Sequence, residues 1–314
     1  MAEIALIYNP NAGRPANGLI PYATSNTLDA VRRYLKSSRR LIVPEYLVET
    51  PDETQMAARH ALESGARLVL VSGGDGTLRA AGEAMLGSGA TMGILPSGTV
   101  NVLARELGIP VDNLERAAQI ALTGRTVSID IGQISTPNKK SGFLLMCSVG
   151  FDAAAIASVD PNVKNVLGSG AYVLAGLVNV ASYAPSRYVI QIDDADPMDI
   201  EAFTIVIANA GLYGGDYRIV PDASLSDGLL DILIFTAPAN QNAASQKASF
   251  FRQVTNAMRG KIVEEPDTLY RRARRISLSA ADPADVQIDG DHAGLAPIIC
   301  ELLPRALSVK IPNP

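Results

Sequence analysis

Cysteine and histidine are nearly missing from this sequence, with two of each among 314 residues. Cys147 and Cys300 lie far apart and in no CxxC spacing. That argues against a disulfide framework or a cysteine zinc site and favours a reducing compartment. Two histidines, His60 and His292, are too few for a histidine-bound zinc centre. Positive charge is not in excess either: the net charge is -5, which speaks against general nucleic-acid binding. Neither the P-loop pattern GxxxxGK[ST] nor the dinucleotide pattern GxGxxG occurs. Long hydrophobic runs are scarce. The longest uncharged one, "NVLGSGAYVLAGLVNVASYAPS" (165–186), is interrupted by Gly168, Ser169, Gly170, Asn179, Ser182 and Pro185. It reads as a buried or interfacial helix rather than a span of roughly 20 apolar residues. The opening "MAEIALIYNPNAGR" lacks the basic start and apolar core of a signal peptide, so a cytoplasmic protein is expected.

What is present is ample apolar material, 47% of residues, and enough length for one large domain or two ordinary ones. Strand and helix signals alternate through the first 127 residues. "EIALIYNP", "RLIVPEYLVET", "RLVLVSGG" and "TMGILPSG" read as strands, and "LDAVRRYLKSS", "DETQMAARHALESG", "LRAAGEAML", "VNVLARELG" and "NLERAAQIALTG" as helices. Such alternation predicts a parallel sheet with crossover helices, whose ligands sit beyond the carboxyl ends of the strands. From 128 to 314 the texture changes to short Val- and Ile-rich runs: "TVSIDIGQIS", "GFLLMCSVGF", "RYVIQIDDA", "MDIEAFTIVIANA", "GLLDILIFTA", "RRISLSAADPADVQIDGD" and "ALSVKIP". These predict a β-rich sandwich domain, with helices within 153–184 and 239–261.

The stretch "LVLVSGGDGTLRAAGEAML" places Gly73, Gly74, Asp75, Gly76 and Thr77 at a strand-to-helix junction. The first N–H groups of the helix are unpaired and its dipole favours an anion, so a phosphate fits there. Glycines let the backbone approach it without a Cβ in the way. Thr77 offers a hydroxyl, and Asp75 a carboxylate able to hold a metal ion or its water shell. A capped glycine-rich turn is the plain alternative. Further polar turns share the same sheet edge: Asn9, Asn11, Gly13 and Arg14 after the first strand, Thr50 after the second, and Gly98, Thr99 and Asn101 after the fourth. Together they outline a nucleotide site.

The segments "NPNAG", "GGDGT" and "LPSGTVNVLARELGIP" resemble the catalytic domain of the diacylglycerol kinase and sphingosine kinase superfamily, and its bacterial lipid kinases in particular. The likeness continues in order through "SVGFDAAAI", "GAYVLAG", "VIANAGLYGGDYRIVPDASLSDGLLDILI" and "VQIDGD", over nearly the full chain. "GGDGT" by itself also occurs in NAD kinases. The resemblance implies an N-terminal α/β domain of the NAD-kinase and phosphofructokinase kind binding ATP, followed by a β-rich domain with lipid contacts and catalytic carboxylates. The final residues of such chains commonly return to the first domain. By motif match, Asn9, Asn11, Gly13, Thr50, Gly73 to Thr77 and Thr99 are the nucleotide contacts. A structural Mg2+ maps onto Asp227 with the carbonyls of Ser224 and Leu229, a donor set that suits a hard cation; a hairpin turn is the alternative reading of "SDG".

The catalytic expectation falls on "VQIDGDHAG", where Asp289 and Asp291 flank a tight turn. Phosphoryl transfer to an alcohol needs an acceptor for the hydroxyl proton and cations that offset phosphoryl charge. The family usually reads "DGE" here, so Asp291 stands in place of a glutamate, and either acid is open as the base. Val102 stands where some members carry an aspartate in a magnesium-linked network; Asp130, in "SIDIG", is the candidate to supply part of it. The basic run "YRRARR" (270–275) fits an edge strand protected by charge, or contact with anionic headgroups. The expectation is thus an ATP- and Mg2+-dependent lipid kinase acting on a lipid such as diacylglycerol, a sphingoid base, ceramide or phosphatidylglycerol. It would touch membranes peripherally, and β-rich domains with exposed edges are compatible with a homodimer. The alternatives are a kinase of a soluble substrate such as NAD, and a non-catalytic nucleotide-binding protein.

Overall fold

The first half of the chain runs β1 (Ile4–Tyr8), β2 (Glu45–Leu47), α1 (Pro51–Glu63), β3 (Leu68–Gly73), α2 (Asp75–Met85), β4 (Thr91–Pro96), α3 (Val102–Glu106) and α4 (Leu114–Thr123). This computed structural model describes residues 3–13, 29, 32–33, 44–137, 139–158, 183–262 and 265–314. The chain divides into two units, 1–129 with 305–314, and 130–304.

In the first unit β1 pairs in parallel with β2 and β3, and β3 with β4. Val69, Leu70 and Val71 are wholly buried in succession, as happens in a strand covered on both faces. Parallel neighbours need a crossover, and the helices supply it. Small residues on α1 (Ala57, Ala58, Ala61) and on α2 (Ala80, Ala81) are buried, so little side-chain bulk separates these helices from their neighbours. The start of α1 is fixed by a capping box: Thr50 Oγ1 accepts the Glu53 N–H at 3.2 Å and Glu53 Oε2 accepts the Thr50 N–H at 3.2 Å. The expected helix "LDAVRRYLKSS" and the beginning of "RLIVPEYLVET" lie largely outside the described residues. The closing run "ALSVKIP" lies parallel to β4, with Ser308 beside Thr91 and Val309 beside Met92.

The second unit contains β5 (Arg125–Ser135) from residue 130 on, β6 (Lys140–Phe143), β7 (Met146–Gly150), α5 (Phe151–Ser158), β8 (Ser186–Ile192), β9 (Met198–Ala208), β10 (Leu212–Tyr213), β11 (Tyr217–Arg218), β12 (Leu230–Thr236), α6 (Ala243–Met258), β13 (Thr268–Ala273), β14 (Arg275–Ala280), β15 (Asp285–Ile288), β16 (Asp291–Leu295) and β17 (Ile298–Ile311) up to residue 304. Its centre is β9, antiparallel to β7, β8 and β12. Strand β15 joins β7 to β16, and β14 joins β8 to β17. Ile205, Ile207, Ile232, Ile234, Ile276 and Val286 share one apolar core. Burying each such side chain contributes roughly 1.5–3 kcal/mol. The run "GFLLMCSVGF" breaks at Leu144 and Leu145 into two strands. The amides at the break face a carboxylate described below. The helix expected within 239–261 is α6. Of the one expected within 153–184, α5 is described and 159–182 lie outside the described residues, with most of the 165–186 run. Among the described residues no helix is long and apolar enough to cross a membrane. The architecture is the expected α/β domain with a parallel sheet, followed by a β-rich domain.

Candidate active site

In the first unit the turns after β1, β3 and β4 meet through backbone. A Cβ on Gly98 would lie 2.5 Å from the Gly74 Cα, and one on Gly73 would lie 2.4 Å from the Thr77 Cβ. Gly13 has φ +72°, and a Cβ there would sit 2.6 Å from the Ser97 carbonyl oxygen. No other residue fits such spacing. Asn9 Nδ2 donates to Thr77 Oγ1 at 3.4 Å, linking the first turn to the glycine-rich one. Asn101 adopts left-handed φ (55°) and closes its turn with two bonds: its Oδ1 accepts the Gly98 N–H, and its Nδ2 donates to the Gly98 carbonyl, both at 2.8 Å. Gly74 is the N-cap of α2 and lacks a capping side chain, which leaves the first N–H groups of the helix to other acceptors. Gly76 lies in that first turn, and Asn11 and Thr99 are exposed. Thr50 is also exposed, its hydroxyl engaged as the cap of α1. Arg14 lies outside the described residues.

Asp75 has a role that sequence reading missed. Its Oδ1 accepts the Leu103 N–H and its Oδ2 the Val102 N–H, both at 3.0 Å, so it caps α3 from a position 27 and 28 residues away. Burial pushes its carboxyl up from the ordinary value, against the pull of those amides. Asp75 thereby fastens the β3 turn to the β4 turn.

In the second unit Asp289 sits at positive φ (48°) and grips the break between β6 and β7. Its Oδ2 accepts the Leu144 N–H at 2.7 Å, while its Oδ1 accepts those of Leu145 at 2.8 Å and Met146 at 3.0 Å. The missing ladder bonds of "GFLLMCSVGF" are thus replaced by a carboxylate. Gly290 donates to Gln287 Oε1 at 2.8 Å, and Asp291 opens β16, half-buried, opposite Ile288. Asn209, fully buried, donates from Nδ2 to the carbonyls of Asp130 at 2.9 Å and Leu144 at 2.8 Å. It therefore joins the acidic turn to the segment of the expected metal residues.

Those residues do come together. Asp130 Oδ2 accepts the Gly228 N–H at 2.7 Å, the Asp130 N–H donates to the Leu225 carbonyl at 2.6 Å, and Asp227 Oδ1 accepts the Leu229 N–H at 3.1 Å. Ser224 receives the Ser226 N–H at 3.4 Å. Arg272 pairs with both Asp227 and Asp231, and the Tyr270 hydroxyl donates to Asp231. The Asp231 Oδ2 is buried without a hydrogen-bond partner among the described residues. Two carboxylates on one guanidinium, one of them with an orphaned oxygen, are donors of the type a hard cation takes. Among the described residues, no three His, Cys, Asp or Glu side chains converge to chelate one. A cation here would therefore lean on backbone carbonyls.

A cavity of about 80 Å³ lies in the second unit, walled by Phe151, Ile156, Val206, Phe235, Phe250 and Met258. Its polar corner is Asp152, with Thr204 and Tyr213. Asp152 Oδ2 accepts the Ser148 hydroxyl at 2.5 Å, Oδ1 accepts that of Thr204 at 2.7 Å, and Tyr213 reaches Oδ2 at 3.4 Å. Burial pushes the Asp152 carboxyl up, and the hydroxyl donors pull it back. Sequence reading missed Asp152, Ser148, Asn209 and Gln287. Ser148, Asn209 and Gln287 are polar residues set in or at the end of apolar strand runs, and that break of pattern was the available signal.

A parallel α/β unit with a glycine-rich strand-to-helix turn, followed by a β-sandwich unit with an acidic hairpin, is the architecture of the NAD-kinase-like phosphotransferases. Residues 3–134 match the diacylglycerol kinase catalytic domain, and residues 146–311 match the YegS C-terminal NAD kinase beta sandwich-like domain. The chain belongs to the diacylglycerol-kinase-like family of lipid kinases. A diacylglycerol kinase of Bacillus subtilis is 27% identical over 316 residues, covering 100% of this chain and 97% of that protein. The fold matches the crystal structure of a diacylglycerol kinase from Bacillus anthracis with a TM-score of 0.77 at 22% identity, over 100% of this chain and 98% of the other. It also matches an NAD kinase from Archaeoglobus fulgidus, solved in complex with ATP, with a TM-score of 0.53 at 12% identity, over 98% and 93% of the two chains.

Proposed function

We propose that this chain transfers the γ-phosphoryl group of ATP to a hydroxyl of a lipid acceptor, with magnesium. The observation that carries the reading is the match of residues 3–134 to the diacylglycerol kinase catalytic domain. The apolar cavity of the second unit, with Asp152, Thr204 and Tyr213 at its polar corner among the described residues, supports an apolar acceptor that brings a hydroxyl there. The turns bearing Asn9, Asn11, Gly13, Gly73 to Thr77 and Thr99 hold the phosphates, with Arg14 and Thr50 at their rim. Asp291 takes the hydroxyl proton, and Asp289 holds the turn that presents it. Asp227, with the Ser224 and Leu229 carbonyls and Asp130 behind them, is the proposed magnesium site; magnesium with the nucleotide offsets phosphoryl charge. Diacylglycerol is the first acceptor to try, since the relatives carry that name. Access to such an acceptor implies peripheral membrane contact from the cytoplasmic side.

The test is incubation of the protein with radiolabelled ATP, magnesium and a panel of diacylglycerol, sphingoid base, ceramide and phosphatidylglycerol. Label entering one lipid class is expected, and loss of label on omitting magnesium. Folded protein that labels none of them sinks the reading. A second reading, phosphorylation of NAD, is favoured by the fold shared with NAD kinase. Label in NAD and in no lipid would establish it.

A further inference from the structure

The polar corner of the cavity and the acidic turn are joined by a chain of hydrogen bonds that all point one way. The Gly290 N–H donates to Gln287 Oε1 at 2.8 Å, Gln287 Nε2 donates to Ser148 Oγ at 2.7 Å, and the Ser148 hydroxyl donates to Asp152 Oδ2 at 2.5 Å. Ser148 and Gln287 are fully buried, so water offers neither of them an alternative partner.

The direction follows from proton counting. A serine hydroxyl carries one proton; given to Asp152, it leaves only lone pairs for Gln287. That requirement turns the Gln287 amide so that its NH2 faces Ser148 and its oxygen faces Gly290. A carboxylate at the end of the chain therefore fixes which way the Gln287 amide lies and, through it, where the Gly290 amide sits. Gly290 is the residue between Asp289 and Asp291, so its position sets the aim of Asp291. Charge-terminated chains of this kind reinforce each bond along them.

We propose that Asp152 is a positioning residue, whose chain through Ser148 and Gln287 orders the 289–291 turn in response to what occupies the cavity. The idea deepens the lipid-acceptor reading and rests on it for the identity of the occupant. An acceptor hydroxyl entering the polar corner competes with Ser148, Thr204 and Tyr213 for the Asp152 oxygens. That competition is felt at Gly290, so acceptor binding and base alignment become one event. A merely satisfied acid would stabilise the fold without any such link.

The link is measurable without turnover. Amide hydrogen exchange of fragments spanning 285–295 is followed by mass spectrometry in the wild type, Asp152→Asn and Ser148→Ala, with and without dioctanoylglycerol, and fragments of β1 and β3 serve as the internal reference. We expect exchange in 285–295 to rise about tenfold in both variants while the reference fragments hold. Dioctanoylglycerol should change exchange in that segment in the wild type and leave it unmoved in Asp152→Asn. In kinetics, kcat should fall at least tenfold, about 1.4 kcal/mol, with the KM for ATP within about twofold. Gln287→Met, which removes both bonds of the middle link, should reproduce the same pattern if Asp152→Asn fails to fold. Exchange unchanged in all the folded variants, or a wild type indifferent to dioctanoylglycerol, overturns the proposal. Unaltered kcat in variants of a lipid-phosphorylating wild type overturns it equally. If the wild type labels no lipid yet the exchange pattern appears in full, the kinase reading falls and the coupling stands.

Discussion

Asp289 Oδ1 accepts the backbone N–H of Leu145 at 2.8 Å, across 144 positions of sequence. With Leu144 and Met146 also bound to it, Asp289 holds the fold of its turn, and Asp291 is the proposed proton acceptor. The two substitutions should therefore behave differently. Asp289→Asn loses at least one amide acceptor and turns an NH2 towards backbone donors, for a loss of about 2–3 kcal/mol of stability. Asp291→Asn should keep the melting temperature within about 2 °C and lose at least about 100-fold in turnover. Melting curves beside initial rates decide the matter. Equal thermal loss in both variants would undo the distinction.

Asp75 works the same way in the first unit. Asp75→Ala removes the cap of α3 and should destabilise that unit by about 2 kcal/mol. Its effect on ATP should come through the Gly98–Asn101 turn, as a raised KM. Urea titration with a probe in the first unit reads the stability loss. A raised KM with an unshifted midpoint would mean instead that Asp75 touches the nucleotide itself.

Gly98→Ala tests the backbone contact of the two turns. The added methyl would meet the Gly74 Cα at 2.5 Å and the Asn101 Oδ1 at 2.9 Å, with only the side chain able to give way. Nucleotide affinity should fall at least about tenfold, or about 1.4 kcal/mol. Gly108→Ala is the control: it has positive φ (69°), unlike Gly98, but open space around it. It should cost about 1 kcal/mol of stability and leave ATP binding alone. Similar ATP affinity in the two variants would show that the close approach carries no ligand function.

The alternation of strand and helix was legible because parallel strands must be apolar on both faces, and "RLVLVSGG" and "TMGILPSG" are. The polar turns were legible because glycine clusters mark close backbone approach. What Asp75 and Asp289 do with their oxygens was not, since both bond to amides far away in sequence. The break in "GFLLMCSVGF" was hidden for the same reason: nothing local ends that strand, and a carboxylate from another hairpin does. Asp152 reads as an ordinary acid in a helix start; only the folded chain surrounds it with Phe151, Phe235 and Phe250.

Asp152 also gives stability a pH dependence with a definite sign. Burial, the largest influence, raises its carboxyl above the ordinary value, so the folded protein binds this proton more tightly than the unfolded chain does. The stabilisation is complete below the unfolded carboxylate value near 4 and is lost as pH rises through the folded one. Among its neighbours, Tyr183 is pushed up to about 12, by burial first and the Asp152 charge second, and burial drives Cys147 upward as well. Neither titrates in this window. Asp152→Asn carries no such proton. Its stability relative to the wild type should therefore rise as pH increases from about 4 through the folded Asp152 value, by about 1.4 kcal/mol for each tenfold difference in proton affinity between the folded and unfolded states. Urea midpoints of both proteins across that range measure the difference, and other acids common to the two cancel. A gap that stays constant or narrows with rising pH would mean that the Ser148, Thr204 and Tyr213 hydroxyls outweigh burial and hold Asp152 fully charged.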